Sequence, residues 1–242
     1  MTLPAHVPIA FLGQFGNAID FILHGQEAQT GGVQVGGPDQ VIDLTLTHLE
    51  VTALAMLLAL VVALPAGLLL GHYGRGELLA VGAGNAGRAV PELAIIAFIA
   101  AAIGVGLVNV TIALAILAVP PILTNTFVAV RQVDRSAVDA AQGVGMNAAS
   151  VIGRVELPLA VPTIMSGVRT STINVVATAT IAPLAGVSTL GEFILSRQVY
   201  GDDGVLAGAV CVALLALALE GMLAGLQLLL TSRGLRLAAT SG

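Results

Sequence analysis

The chain has 242 residues, of which 57% are hydrophobic and 10% are charged, and its mean hydropathy is +0.98. Soluble domains carry about 25% charged residues, so this composition excludes a fully water-exposed surface and predicts a protein embedded in lipid. The net charge of −5 argues against nucleic acid as a partner. With one cysteine and four scattered histidines, we expect no metal site and no cofactor.

The N-terminal segment, residues 1–40, is predicted to contain a helix in the membrane interface and an external loop. Over residues 8–23 an apolar helical face opposes a polar one, and the apolar face consists of Phe11, Phe15, Ile19 and Ile22. Asp20 on the polar face argues against the alternative that this segment is a sixth membrane span. Residues 24–40 are rich in Gly and Gln, which predicts a loop.

Residues 41–232 are predicted to form an all-α membrane domain of five spanning helices. A span needs about 20 apolar residues, because the hydrocarbon core is ~30 Å thick and a helix rises ~1.5 Å per residue. The apolar run at residues 93–130 is long enough for two helices, which Gly104, Gly106 and Asn109 would separate by a tight turn. The other predicted spans lie within residues 51–71, 159–183 and 204–230.

The arginines predict the orientation of these spans. Five spans place six arginines on one side, which the positive-inside rule assigns to the cytoplasm: Arg75, Arg131, Arg135, Arg154, Arg233 and Arg236. Arg197 is the exception on the other side. The N-terminus is therefore expected outside and the C-terminal tail, residues 233–242, inside.

The segment between the third and fourth spans, residues 131–158, is predicted to form two short helices joined at a glycine. Ser136 and Asp139 have the spacing of a capping box that would begin the first helix. Gly143 and Gly145 can end that helix, and Asn147 can cap a second helix running to about Val155. Pro158 and Pro162 would then interrupt the chain as it enters the fourth span.

This segment resembles the signature loop of bacterial ABC importer permeases. The family pattern is Glu-Ala-Ala, three residues, Gly, nine residues and Ile-x-Leu-Pro, and here Asp replaces Glu and Val replaces Ile. The resemblance implies a type I ABC importer permease fold, with this loop as a cytoplasmic coupling helix that docks on the ATPase. The residues that it implies for ATPase coupling are Asp139, Ala140, Ala141, Gly145, Leu157 and Pro158.

Further stretches resemble permeases for the osmoprotectants glycine betaine, carnitine and choline. They include Gly-Arg-Ala-Val-Pro-Glu-Leu-Ala at 87–94, Val-Pro-Pro-Ile-Leu-Thr-Asn-Thr at 119–126 and Val-Glu-Leu-Pro-Leu-Ala-Val-Pro at 155–162. The similarity extends over roughly residues 40–215. It implies a multi-pass protein of the bacterial inner membrane that carries one of these solutes.

Polar residues inside the predicted spans are candidates for a pore or gate. Charges at membrane depth are costly against lipid, so they should face protein or water, and structural pairing or interhelical hydrogen bonding is the common alternative. The candidates are Arg88, Glu92, Asn125, Arg169, Asn174, Thr178, Thr180 and Glu220. The sequence contains no nucleophile triad and no paired carboxylates, so we predict no catalytic residue.

The sequence also predicts partners. A phosphate-binding loop requires lysine and the chain has none, so a separate ATPase dimer must hydrolyse ATP. Five helices are few to enclose a path, which predicts a second permease chain, either identical or a sister subunit. Quaternary ammonium groups bind in aromatic cages. The eight aromatic residues, two Tyr and six Phe, are scattered along the sequence, so we expect an external substrate-binding protein to recognise the solute. The alternative function is a secondary transporter or channel driven by an ion gradient.

Overall fold

The computed structural model describes residues 7–78, 80, 82 and 90–232, with side chains described from residue 13 onward within those ranges. This part of the chain is an all-α bundle, as predicted, and it also contains one small hairpin that was not predicted. The elements are α1 (Val7–Leu23), β1 (Gln26–Glu27), β2 (Gln34–Val35), α2 (Gly37–Tyr73), α3 (Glu92–Ile103), α4 (Leu107–Arg131), α5 (Arg135–Gly143), α6 (Ala148–Val151), a π-helical segment (Ile152–Glu156), α7 (Leu157–Thr178), a 3-10 helix (Ala179–Ala185), α8 (Gly191–Leu195) and α9 (Arg197–Leu230).

Four helical stretches of the described chain are long and apolar enough to cross a membrane. They are α2, α4, the continuous run Ala148–Ala185 and α9. The fifth apolar helix, α3, has 12 residues, so it rises about 18 Å and is shorter than a full span. The predicted tight turn between α3 and α4 is present, where the Asn109 side-chain amide donates to the Gly104 carbonyl at 2.9 Å.

Helix α4 lies between α2 and α7 and forms the centre of the bundle. Small residues bring the three backbones close together. A Cβ placed on Gly71 of α2 would lie 2.7 Å from Cβ of Val130, and one on Gly167 of α7 would lie 2.6 Å from Cβ of Asn125. In lipid, such van der Waals packing is a main source of helix association, because lipid tails are as apolar as the helix surfaces.

The N-terminal helix packs one face against the bundle. Ala18 and Phe21 of α1 are buried, whereas Ile19, on the predicted apolar face, is 55% exposed. Helix α1 packs against α9 and α2, and an exposed apolar Ile19 is what a helix in the membrane interface would present to lipid. The side chain of Phe11 lies outside the described residues.

Residues 24–40, predicted to be a loop, contain the β1–β2 hairpin and the first turn of α2. The strands pair antiparallel, with Gln26 opposite Val35 and Glu27 opposite Gln34. We call the end of the bundle that carries this hairpin the hairpin end. The opposite end, which carries α5 and α6, is the elbow end.

Three aromatic residues that are far apart in the sequence meet near the hairpin end. The rings of Phe21, Phe193 and Tyr200 pack edge to face, with centroids 5.2 Å apart for Phe21–Phe193 and 4.9 Å apart for Phe193–Tyr200. The expectation that the aromatic residues are dispersed is therefore wrong for these three. All three are buried and fill each other's faces, so they form a packing cluster rather than an open cage.

The entry into α7 is continuous, although prolines were expected to interrupt it. Pro158 lies in the first turn of α7 and has no N–H to donate to the carbonyl four residues earlier. The preceding residues, Ile152–Glu156, widen into a π-helix instead of breaking the helix. The elbow end is thereby joined to the membrane span by unbroken helical backbone.

The close approach at Gly167 generates a stability prediction. We expect Gly167→Ala to lower the free energy of unfolding by about 1–3 kcal/mol, because the new methyl group must displace Asn125 and the Pro121 carbonyl. Gly221→Ala in α9, where nothing lies within 4 Å of the new Cβ, is the matched control. Thermal unfolding of the two detergent-purified proteins measures the difference, and equal melting temperatures would contradict the packing argument.

Candidate functional site: the elbow and the polar contacts of the bundle

The elbow, residues 135–151, begins at a different cap from the predicted one. Asp134 is the N-cap of α5, and its carboxylate accepts the backbone N–H of Ser136 at 2.9 Å. The capping box of Ser136 and Asp139 is therefore wrong by two residues, because Asp134 reaches the same free N–H groups first. Hydrogen bonds from the Ser136 backbone and side chain hold the pKa of Asp134 below its usual range.

The turn of the elbow has the predicted glycine geometry. Helix α5 ends at Gly143, and Gly145 has φ +87°, a backbone conformation that residues with a Cβ rarely adopt. The Met146 N–H donates to the Ala141 carbonyl at 3.1 Å and closes the turn. Asn147 then caps α6, as predicted, by accepting the Ser150 N–H at 2.9 Å.

The elbow has one face in the bundle core and one face exposed. Val138, Ala141 and Val151 are buried and continue the main hydrophobic core. Val144, at the tip of the turn, is 80% exposed. The predicted coupling residues divide accordingly: Asp139, Ala140, Gly145 and Pro158 are exposed, Leu157 is partly buried and Ala141 is buried.

A cleft borders the elbow at its junction with the bundle. It has a volume of about 310 Å³ and lies between the end of α4, the cap of α5 and the start of α7. Gln132, Asp134 and Thr163 supply polar groups to its lining, together with apolar residues such as Val133 and Leu159. The elbow therefore presents both an apolar tip and a partly polar recess.

The base of the elbow contains a buried hydrogen-bonded pair of side chains that the sequence analysis did not identify. Glu156, the last residue of the π-helical segment, accepts a hydrogen bond from Nδ1 of His72 in the last turn of α2 at 2.8 Å. The side chains are 1% and 9% exposed, respectively. Because the two residues are 84 positions apart, no local sequence pattern connects them.

Arg169 and Glu220, two candidates for a pore or gate, form an ion pair between α7 and α9. Arg169 donates twice to the same carboxylate oxygen of Glu220, and its Nη1 donates to Gln227 at 2.9 Å. The other carboxylate oxygen of Glu220 has no hydrogen-bond partner among the described residues. Both side chains are about one-third exposed or less, so the pair stands at the edge of the α7–α9 contact.

The remaining candidates are spread over the bundle. Asn125 donates to the Pro121 carbonyl in its own helix at 2.8 Å, and Thr180 donates to the Ala177 carbonyl at 2.6 Å. Asn174 is exposed, Thr178 is partly buried, and Glu92 is exposed in the first turn of α3. Arg88 lies outside the described residues. Within the described residues, no hydrogen bond or ion pair joins Asn125, Asn174, Thr178, Thr180 or Glu92 to Arg169 or Glu220.

The sequence analysis also did not identify two buried polar side chains of α2, His48 and Thr52. His48 of α2 is fully buried, and its Nε2 lies 3.0 Å from the Val176 carbonyl near the end of α7. One helical turn further along α2, the Thr52 hydroxyl is also buried and has no partner among the described residues. Their spacing of four residues on one helix face was the only available signal.

Most of the membrane-spanning part of the chain matches a known protein family. Residues 55–228 match the family described as "Binding-protein-dependent transport system inner membrane component". The chain belongs to this family. It is a multi-pass permease of an ABC importer, and the family is a non-catalytic membrane component whose ATPase is a separate subunit.

Two characterised relatives cover most of the permease. It is 39% identical over 199 residues to the carnitine transport permease protein OpuCB of Listeria monocytogenes. The aligned region covers 82% of this chain and 91% of the relative. It is 36% identical over 193 residues to the choline transport system permease protein OpuBB of Bacillus subtilis, with coverages of 79% and 89%. These matches favour an ATP-driven importer over an ion-gradient transporter.

The fold of the permease is that of a type I ABC importer. Its backbone matches that of the inward-facing MetNI methionine ABC transporter with a TM-score of 0.70, over 81% of this chain and 98% of the other, at 18% sequence identity. At this identity the match establishes the architecture and not the solute. The family also implies an ATPase and a substrate-binding protein as partners.

The ion pair between α7 and α9 generates a prediction about the thermal stability of the permease. We expect Arg169→Ala to lower the melting temperature of the detergent-purified permease, because it leaves the Glu220 carboxylate at membrane depth without a cation. The double variant Arg169→Ala/Glu220→Ala should melt at a higher temperature than the single variant, since no unpaired charge remains. A double variant that is no more stable than Arg169→Ala would contradict this account.

Proposed function

We propose that this permease carries a small quaternary ammonium osmoprotectant, of the kind represented by carnitine, choline and glycine betaine. The support is the solute named for each of the two relatives, over about four-fifths of the chain. In this proposal an external binding protein delivers the solute. The rings of Phe21, Phe193 and Tyr200 support this division, because all three are buried in edge-to-face contact and leave no open cage for a cation.

The exposed elbow is the observation that carries the proposed mechanism. Residues 131–158 would form the coupling loop, with Asp139, Ala140 and the exposed Val144 contacting a groove of the ATPase. Ala141 and Leu157 would hold the elbow on the bundle. Val138 anchors α5 in the core, and α6 continues through the π-helical segment into the membrane span α7. An elbow held at both of its helices in this way is suited to transmit a rigid-body displacement.

A second permease chain, identical or a sister subunit, would complete the path. The long helix α9 supports this, because much of its apolar surface is uncovered: Leu214, Leu217 and Leu229 are between 60% and 81% exposed. Lipid covers what the second chain does not. Arg88, Glu92, Asn125, Asn174, Thr178 and Thr180 stay candidates for the pore or gate of that assembled path, as does the Arg169–Glu220 pair.

The proposed orientation places the elbow end in the cytoplasm and the hairpin end outside. Arg131 supports it, because its guanidinium lies beside Gly74 and thus brings the basic ends of α2 and α4 together at the elbow end. The hairpin end carries acidic residues, and its Arg197 is paired with Asp202 at 2.5 Å. Residues 1–40 would then be the external N-terminal unit and residues 233–242 the cytoplasmic tail.

Two matched cysteine substitutions test the orientation. In a Cys211→Ala background we expect Val33→Cys, at the hairpin, to react with a membrane-impermeant maleimide on intact cells. Val144→Cys, at the elbow, should react only after permeabilisation. Both native side chains are well exposed in the permease chain, at 63% and 80%. The cells express the permease without its ATPase, so that the proposed partner does not cover Val144. Labelling of Val144→Cys in intact cells would reverse the topology.

The function is tested by solute uptake into proteoliposomes that contain the permease with the ATPase and binding protein of its own system. We expect ATP-dependent uptake of labelled carnitine, choline or glycine betaine, and only background uptake without the binding protein. Gly145→Val should reduce uptake at least tenfold, because the turn needs a positive φ that valine does not readily adopt.

Gly143→Val is the matched control for that experiment. Gly143 is helical, and nothing lies within 4 Å of a Cβ at either glycine, so the two substitutions differ in backbone strain rather than in available space. Normal uptake by Gly145→Val would remove the proposed role of the elbow. Uptake that an ionophore abolishes and ATP does not stimulate would favour the ion-gradient alternative.

A further inference from the structure

The buried contact between His72 and Glu156 joins two parts of the permease that are far apart in sequence and that pack against each other in the bundle. Glu156 belongs to the helical backbone that continues from the elbow into α7, and His72 belongs to the last turn of α2. Their hydrogen bond of 2.8 Å is the one polar side-chain contact that the described residues show between the π-helical segment and α2.

The position of Glu156 makes it sensitive to displacement of the elbow. Glu156 lies five positions after Val151, the buried end of α6, and no turn or loop interrupts the backbone between them. A movement of the elbow therefore carries the Glu156 carboxylate with it.

His72 lies where the end of α2 packs against α4, the central helix of the bundle. The preceding residue, Gly71, lies in close contact with Val130 of α4, and Gly74 lies beside Arg131 at the end of the same helix. A force on His72 therefore acts on α2 and α4 together. A buried carboxylate and its partner resist separation strongly, because either group alone would be left without compensation in a nonpolar environment.

We propose that His72 and Glu156 form a coupling joint, a pair of positioning residues that transmits the displacement of the elbow to α2 and α4. The inference rests on the proposed contact between the elbow and the ATPase. It assigns to the pair a mechanical role beyond stabilising the fold: without the joint, ATP hydrolysis continues but a smaller share of it moves solute.

The test measures solute uptake and phosphate release in the same proteoliposomes and takes their ratio. Glu156→Leu replaces the carboxylate by an apolar side chain of similar size, which needs no partner and can fill the buried position. We expect it to lower the ratio by about fivefold to tenfold, in the range reported for residues that carry coupling between sites. Glu156→Gln keeps a hydrogen-bond acceptor for His72 and should retain most of the coupling.

Single and double alanine variants show whether the two residues act as a unit. His72→Ala and Glu156→Ala should each lower the ratio, and the double variant should be no worse than either single variant. His24→Ala is the control, because it breaks a hydrogen bond of 2.7 Å to Asp20 in which both side chains are 70% exposed. It should leave the ratio unchanged.

Three outcomes overturn the joint. A folded Glu156→Leu permease with a normal ratio would do so, as would independent, multiplicative losses in the double alanine variant. Equal falls in uptake and hydrolysis, with the ratio preserved, would indicate a structural role only. The role of the elbow is tested separately by Gly145→Val. If this variant transports normally, both the proposed ATPase contact and the joint are contradicted. If Gly145→Val loses uptake while the Glu156 variants keep a normal ratio, the ATPase contact is supported and only the joint is contradicted.

Discussion

Close packing of α4 against α2 and α7 is the constraint on which the rest of this permease depends. In a bilayer there is no hydrophobic gain from bringing two apolar helices together, so association relies on short van der Waals contacts and a few hydrogen bonds. Gly71 and Gly167 allow those contacts on the two sides of α4. The elbow connects the end of α4 to the start of α7, so its position is determined by the packing at the centre.

The ionisable contacts are arranged around this apolar centre. Arg169 and Glu220 connect α7 to α9, and His72 and Glu156 connect the base of α7 to α2. Each pair satisfies a charge that the membrane or the protein interior would otherwise make unfavourable. Apolar packing thus determines which helices are neighbours, and the polar pairs restrict how those neighbours can slide. A transport protein requires both, since its helices must move as units without separating.

Local signals in the sequence predicted the features that depend on a few consecutive residues. Charge-free runs located the spans, Asn147 capped α6 as expected, and the turn at Gly145 has the positive φ that glycine permits. The predicted cap at Ser136 failed because the sequence offers several capping residues in a row and propensity does not choose between them. Pro158 was read as an interruption, whereas a helix whose ends are fixed by packing absorbs it as a π-helix.

Features that depend on tertiary contacts could not be predicted from a single sequence. His72 and Glu156 are separated by 84 residues, and Phe21 meets Phe193 only because α1 folds back onto α8 and α9. The burial of Ala18 has the same origin, since the periodicity of a helix indicates an apolar face but not which residues a neighbouring helix covers. The coupling motif was identifiable because its spacing is local.

The π-helical segment also sets the angular relation between the elbow and the membrane span. A π-helix contains one more residue than the α-helical turn it replaces, and each residue of an α-helix corresponds to a rotation of about 100°. Ile152–Glu156 therefore turns the face that α6 presents relative to the faces of α7, compared with an unbroken α-helix of the same path. The π-helical segment therefore affects the direction in which the elbow, with Val144 at its tip, projects from the bundle, although the segment follows Val144 in the chain.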